Sequence, residues 1–284
     1  MSDSESDTNP KHKKRKTASS DEEEFSEEIE ADFLFYDPSS DDNEGILALL
    51  QGFMKDFSWK LPDSIKKDRY SHLSDLVSNQ PNIGTLIKVE DDQDSYVMAV
   101  LSLLNLNQYD GLETLKQAVV EKAQSECNKN DSKKLKELLS DKKNQVGLLV
   151  NERMANLPSQ LIGKIQECLK DDIKWSKENV EEEDEGKYYN FTHILGISRL
   201  YLDKSKDEDN ESILVYHKPE ERFYYDNSLF RFMWATGESN KVNYYNDNNK
   251  KNSSKILPEY MFVYCLSFDK FNYVVKEIVK NFRD

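Results

Sequence analysis

The sequence contains few glycines, and these are too far apart to form a phosphate-binding loop. Nine glycines occur in 284 residues, and the two nearest, Gly45 and Gly52, are seven positions apart. No GxG, GxxG or GxxxxGK motif therefore exists, which excludes the loops that hold nucleotide phosphates between paired glycines. The G-x-S-x-G turn that presents a serine nucleophile in hydrolases is excluded for the same reason.

Cysteine and histidine are also scarce, with three and four residues respectively. The cysteines are odd in number and widely spaced, which is typical of a reducing compartment and predicts no disulfide framework. No CxxC occurs, and the histidines outside the N-terminal tail do not lie at the spacing of helical metal ligands. We therefore predict neither a metal site nor a cofactor.

Long apolar segments and an excess of positive charge are missing as well. The longest apolar stretch, residues 97–106, is about half as long as the roughly 20 residues that cross a membrane, so we predict no membrane span. The chain begins MSDSESD, which has neither the basic nor the apolar region of a secretory signal. A formal net charge of −15 argues against direct nucleic-acid binding, which depends on clustered Lys and Arg.

Acidic side chains are abundant instead, and they are concentrated at the N-terminus. Residues 1–44 contain 15 acidic and 5 basic side chains, a net charge of −10, which leaves −5 for the other 240 residues. Residues 1–29 have almost nothing to bury, so we predict a disordered acidic tail there and a single domain over 30–284. An acidic surface attracts basic partners and steers their encounter, although the same charge can serve solubility alone.

One basic run interrupts the acidic tail, and it contains Lys11, Lys13, Lys14, Arg15 and Lys16. A short Lys/Arg cluster in an accessible tail predicts a nuclear localisation signal. The alternative is a charge run that only solvates the tail. We therefore expect the protein in the nucleus.

Two serines follow the basic run at a spacing that acid-directed kinases favour. Ser19 and Ser20 precede Glu22 and Glu23 by three residues, which makes both serines candidate phosphorylation sites. Phosphate there would add negative charge to a tail that is already acidic.

Helical and strand periodicities alternate in the folded part. We predict helices over about 46–57, 64–79, 111–127, 131–142, from 158 onward, and at the C-terminus. We predict strands near 33–36, 83–89 and 95–106 (paired as a hairpin), 145–151, within 188–202, at 212–217, within 223–234, and at 260–268. The Asn- and Lys-rich segment 237–255 predicts a disordered loop. The expected fold class is α+β, with a mixed, largely antiparallel sheet flanked by helices.

Three stretches of this chain resemble the BCCIP family of nuclear proteins, and its fungal branch most of all. They are residues 32–38 (DFLFYDP) with the helix that ends in Leu-Leu-Gln at 49–51, residues 83–88 (IGTLIK), and residues 146–154 (VGLLVNERM) followed by Leu157-Pro158. The third stretch is the most specific. The resemblance covers nearly the whole folded part, from about residue 29 to about residue 282.

The resemblance implies a non-enzymatic chaperone or escort. Such a protein serves large-subunit ribosome biogenesis through a basic ribosomal protein, and supports nuclear export of clients that include a phosphatidylinositol-phosphate kinase. It also implies contact with the nuclear import and export machinery and shuttling to the cytoplasm. Within the most specific stretch we take Asn151, Glu152, Arg153 and Met154 as a candidate partner surface, although a structural loop explains the segment equally well.

The implied fold is similar to that of the GCN5-related acetyltransferases. Those enzymes hold the pyrophosphate of coenzyme A with the motif R/Q-x-x-G-x-G/A, and the nearest segment here, residues 145–149 (QVGLL), lacks it. We therefore expect an acetyltransferase-like scaffold without its cofactor motif. Two alternative functions stay open at this point, an acyltransferase-like enzyme and a histone chaperone.

Overall fold

Helices and strands alternate along the part of the chain that the computed structural model describes, which is residues 32–55, 57–90, 96–180, 185–206, 212–244 and 253–283. The elements in chain order are β1 (Phe33–Tyr36), α1 (Asn43–Leu50), α2 (Arg69–Ser78), β2 (Gly84–Val89), β3 (Val97–Asn105), α3 (Leu112–Glu126), α4 (Lys129–Ser140), β4 (Val146–Arg153), α5 (Gln160–Glu178), β5 (His193–Lys206), β6 (Ser212–Tyr216), α6 (Glu221–Asp226), β7 (Phe230–Tyr244), β8 (Ser253–Ser267) and α7 (Phe268–Asn281). Residues Asp32–Asp284 form one compact unit.

The described strands form a single sheet in the order β1-β2-β3-β4-β5-β8-β7, with β6 paired to β5. Every pair is antiparallel except β4 with β5, which is parallel over residues 146–149 and 193–196. The expected hairpin forms between β2 and β3, with Leu86 opposite Val100. The predicted mixed, largely antiparallel sheet flanked by helices is therefore confirmed.

Helices cover both faces of the sheet, and side-chain alternation along the strands divides the core in two. On β3, Val100 and Leu104 face one apolar cluster, while Leu101 and Leu103 face the other. A strand that is buried on both faces lies inside a sheet, and β3 lies between β2 and β4. No described helix has both the length and the apolar character that a membrane span requires.

Several expected elements differ from the structure. The helical spacing that runs to Phe57 is interrupted, because α1 ends at Leu50 just before Gly52, and Met54 adopts a φ of 51°. Phe57 is still buried, so the apolar spacing correctly indicated a buried residue although the helix ends before it. The segment expected to be one or two strands within 223–234 begins instead with α6, and its strand starts only at Phe230.

The expected loop over 237–255 is wrong at both of its ends. β7 continues to Tyr244 and β8 begins at Ser253, and the two strands pair Asn240 with Leu257. The pairing of β7 with β8 shifts register between Ala235 and Ser239 and then continues. Gly237 lies within this bulge and adopts a φ of 84°, which glycine tolerates. Residues 245–252 lie outside the described part of the chain.

Gly196 on β5 leaves space for an aromatic stack. A Cβ at this position would lie 2.0 Å from Cζ of Tyr264, and that ring stacks on Tyr224 with centroids 5.5 Å apart. Gly196→Ala should therefore displace the ring and lower the free energy of unfolding by about 1–3 kcal/mol, measured by urea denaturation. Gly52→Ala is the control, since the nearest heavy atom to its Cβ would be 3.6 Å away. Equal losses in the two variants would contradict the prediction.

Candidate functional site

The parallel pair β4–β5 opens after Leu149 and Gly196, and we call the gap beyond this point the split. Further along, β4 keeps β3 as its neighbour, and β5 keeps β8. The backbone N–H and C=O groups of β4 and β5 that face the split do not bond to each other, so they need other hydrogen-bond partners. The split opens at the carboxyl ends of two parallel segments, which is where open α/β sheets bind ligands. The split is therefore the candidate ligand site of this sheet.

Residues 217–221, which we call the insert, fill the split from within the chain. β6 pairs with β5 up to Tyr216, and the insert follows β6 in the chain and continues beside β5. The His217 amide N–H donates to the carbonyl oxygen of Arg199 on β5 at 3.2 Å. On the other side, Nζ of Lys218 donates to the carbonyl oxygen of Asn151 on β4 at 2.7 Å. Both strands that border the split thus bind to the insert.

Lys218 carries a buried positive charge into the split. Its side chain is 4% exposed, and Nζ lies 2.7 Å from Oε1 of Glu152 and 3.4 Å from Oε1 of Glu221. Burial alone would lower the pKa of this ammonium group, but the carboxylates of Glu152 and Glu221 outweigh burial and raise the pKa. Lys218 therefore stays charged in the folded protein.

Glu220 pairs with Arg153 in the same insert. The guanidinium donates two hydrogen bonds to the carboxylate, one of them 2.8 Å long from Nη2 to Oε2, and Asn151 Nδ2 donates a third at 3.0 Å. Burial alone would raise the pKa of Glu220, but the bonds from Arg153 outweigh it and lower the pKa. A fully buried carboxylate is thus held ionised by a bidentate partner.

Glu221 differs from its neighbour. Its Oε2 accepts a hydrogen bond from Oγ of Ser198 at 2.7 Å, and the residue is 2% exposed. Burial, together with the charge of Glu220, raises the pKa of Glu221 to about 7 against the attraction of Lys218. A carboxyl group that titrates near neutrality could act as an acid or a base only towards a substrate within hydrogen-bond reach. The insert occupies the space through which a substrate would approach from the split.

The predicted partner surface at 151–154 is wrong for its first two residues. Asn151 and Glu152 are 6% and 7% exposed because the insert covers the end of β4. The Arg153 side chain is 12% exposed and paired with Glu220, whereas Met154 is 46% exposed. Sequence reasoning missed the insert residues themselves, since Lys-Pro-Glu-Glu after a strand looks like a solvated turn.

The other predicted sites lie outside the described residues. They are the basic run at 11–16 and the candidate phosphorylation sites Ser19 and Ser20. Cys265 is fully buried in β8, where burial raises the pKa of its thiol to about 12, so it belongs to the core. Within the described ranges no three His, Cys, Asp or Glu side chains cluster so that they could hold a metal ion.

Comparison with known proteins identifies relatives of this chain. The sequence profile of the BCCIP family matches residues 28–264. A protein of Arabidopsis thaliana named Protein BCCIP homolog is 32% identical over 75% of this chain and 65% of its own length. Protein bcp1 of Schizosaccharomyces pombe is 30% identical over 69% of this chain and 71% of its own length. The match thus spans slightly less than two thirds of the Arabidopsis relative.

A solved structure shares the fold. The crystal structure of BCP1 from Saccharomyces cerevisiae superposes with a TM-score of 0.55 at 18% identity, covering 91% of this chain and 92% of that chain. Solved acetyltransferases also match, with TM-scores such as 0.32 and 0.36 at 8% and 7% identity. The relationship to the BCP1 structure extends over nearly the whole of both chains.

Proposed function

The chain belongs to the BCCIP family, and on this premise we propose that it is a non-catalytic nuclear chaperone or escort for a basic ribosomal protein of the large subunit. It binds the client until assembly and so supports ribosome biogenesis. It also supports the export of client proteins from the nucleus, among them a phosphatidylinositol-phosphate kinase.

The filled split is the observation that carries the non-catalytic part of the proposal. A substrate that entered between β4 and β5 would have to displace Lys218 and Glu220 from their partners. Removing one member of a buried ion pair costs about 3–5 kcal/mol, because the other charge is left uncompensated. A site that must first break two such pairs is poorly suited to binding a small molecule.

Charge supports a basic client. The chain has 54 acidic and 39 basic side chains, with the acidic excess strongest in residues 1–44. Such a surface raises the encounter rate with basic proteins and masks their positive charge while they are unassembled. In this proposal Lys11–Lys16 direct nuclear import, and phosphorylation of Ser19 and Ser20 increases the negative charge that the client meets.

Co-purification tests the proposal directly. We expect the full chain to capture a basic large-subunit ribosomal protein when the two are co-expressed, and to release it as salt is raised. The reason is screening, since the Debye length falls from about 30 Å at 0.01 M to about 3 Å at 1 M. Failure to capture any basic ribosomal protein at low salt would overturn the proposal.

The same material separates the two alternatives. Histones added in competition should displace the ribosomal protein if the client is a histone. Acetyl-CoA should leave the thermal unfolding temperature unchanged, whereas an acyltransferase-like enzyme would be stabilised by RT ln(1 + [L]/Kd). Stabilisation by acetyl-CoA would therefore favour the enzyme.

A further inference from the structure

Trp175 on α5 is a large aromatic side chain that the fold leaves in solvent. It is 56% exposed, whereas Trp59 and Trp234 are 6% and 7% exposed. Tryptophan has much apolar surface to bury, and it is enriched among the residues that dominate protein–protein binding.

Trp175 lines two neighbouring hollows in the surface. The first has a volume of about 380 Å³ and is lined by Asp37, Pro81, Asn82, Asp172 and Trp175. The second, of about 420 Å³, shares Pro81, Asn82 and Trp175 and adds mainly amide and tyrosine side chains together with Glu185. An extended segment that crossed the indole ring would therefore find a recess on each side. We call the two hollows and the ring the Trp175 surface.

Hydrogen bonds fix α5 to the strand beside it, so the Trp175 surface is preformed. Asp172 accepts from the Gly84 backbone N–H at 3.2 Å and from Oγ1 of Thr85 at 3.4 Å. One turn further along, Oγ of Ser176 donates to the Asn82 carbonyl oxygen at 2.8 Å. A preformed surface loses little conformational entropy when a partner binds.

The charge of this surface is of one sign. Among the described residues that line the hollows there are three carboxylates, Asp37, Asp172 and Glu185, and no Lys or Arg. Burial, with a contribution from the charge of Asp37, raises the pKa of Asp172 to about 6. A cation bound between these carboxylates would relieve their repulsion, and the indole face attracts cations as well.

We propose that the Trp175 surface binds an arginine- or lysine-rich segment of a client protein. The aliphatic stem of a basic side chain, or a guanidinium plane, packs on the indole ring, and the charged ends reach the carboxylates on either side. This inference rests on the proposed function in that the client is basic, and it adds the place of contact.

A fluorescently labelled arginine-rich peptide tests the proposal through its anisotropy with the full chain. Trp175→Ala should weaken binding at least about tenfold, as expected for a central aromatic contact. Asp172→Asn keeps the acceptor for Gly84 and should also weaken binding, because it removes a charge. Leu229→Ala is the matched control, since Leu229 is likewise 56% exposed and lines neither hollow. It should bind the peptide like the unmodified chain.

Acrylamide quenching provides a second measurement. Because Trp59 and Trp234 are buried, Trp175 should dominate the emission that acrylamide reaches. The arginine-rich peptide should reduce this quenching, and a glutamate-rich peptide of equal length should not. Strong shielding before any peptide is added, relieved by replacing Lys13, Lys14 and Arg15 with Gln, would show the chain's own basic run in the hollows. That result would overturn the proposal, because the basic run of this chain and not a client would occupy the Trp175 surface.

The outcomes distinguish this inference from the proposed function. If Trp175→Ala binds the peptide as well as Leu229→Ala does, the Trp175 surface is the wrong place, while capture of the ribosomal protein would still support the function. If the peptide binds at Trp175 but no basic ribosomal protein is captured by the unmodified chain, the proposed function fails and the surface stands.

Discussion

Replacing Lys218 with methionine is expected to lower the free energy of unfolding by about 3–5 kcal/mol. Methionine is similar in length and flexible, so the loss arises from charge rather than from an empty cavity. The substitution removes the cation from Glu152 and Glu221, and it removes the donor to the carbonyl oxygen of Asn151. Urea denaturation at neutral pH measures the change as a lower midpoint at an unchanged m-value.

Two further variants show whether the buried charges cause this loss. Lys133→Met on α4 is the control, because that lysine is 75% exposed and its substitution should change stability by no more than about 0.5 kcal/mol. Adding Glu152→Gln and Glu221→Gln to Lys218→Met should restore part of the stability, since no carboxylate is then stranded. A loss for Lys218→Met no larger than that of the control would show that ion pairs do not hold the insert in the split.

The parts of the fold that could be predicted from the sequence are those encoded by local spacing. On α7, Phe271, Val274, Val275 and Ile278 lie at helical intervals and are all essentially buried. The β2–β3 hairpin also has a short connection, so its pairing depends on residues close in the sequence. Such patterns report which face of an element is buried.

The insert could not be predicted in this way, because its partners are distant in the sequence. Glu220 meets Arg153 across 67 positions and Lys218 meets Glu152 across 66. A charged residue is normally exposed unless it is paired, and pairing is invisible until the topology brings two strands together. For the same reason Glu152, which sequence reasoning put on a partner surface, lies in the interior.

The exposure of Trp175 could not be predicted from local spacing either. Its helix is strongly amphipathic, and the apolar side chains of Ile162, Ile165 and Leu169, which lie at helical spacing, are buried. An aromatic residue further along the same helix gives no signal of exposure, since its position depends on where β2 and the end of β1 lie. The chain thus closes the split, where a ligand could enter the sheet, and presents an acidic aromatic surface on the outside. This distribution favours binding of proteins over binding of small molecules.

Glu221→Gln should remove a pH dependence that the buried carboxyl imposes on stability. The pKa of Glu221 is about 7 in the folded protein and 4.5 for an ordinary glutamate, so between these values the folded state binds more protons than the unfolded state. The contribution of Glu221 to the free energy of unfolding is therefore fully present below pH 4.5, and it is lost as the pH rises to 7. At about 1.4 kcal/mol for each pH unit, the loss amounts to roughly 3 kcal/mol.

The measurement is the difference in unfolding free energy between the unmodified chain and Glu221→Gln, followed from acid to neutral pH. Taking the difference cancels the contributions of other groups that titrate between acid and neutral pH. His217 is one of them, because burial and the charge of Lys218 lower its pKa. Its contribution to the free energy of unfolding rises with pH, opposite to that of Glu221. The difference should fall by about 3 kcal/mol as pH rises. Glu137→Gln, at a site that is 64% exposed, is the control for the effect of the substitution itself. A flat difference for Glu221→Gln would mean that the pKa of this carboxyl in the folded protein equals that of an ordinary glutamate, and a rising difference would mean that it is lower. Either result would show that the attraction of Lys218 offsets burial, and would contradict the prediction.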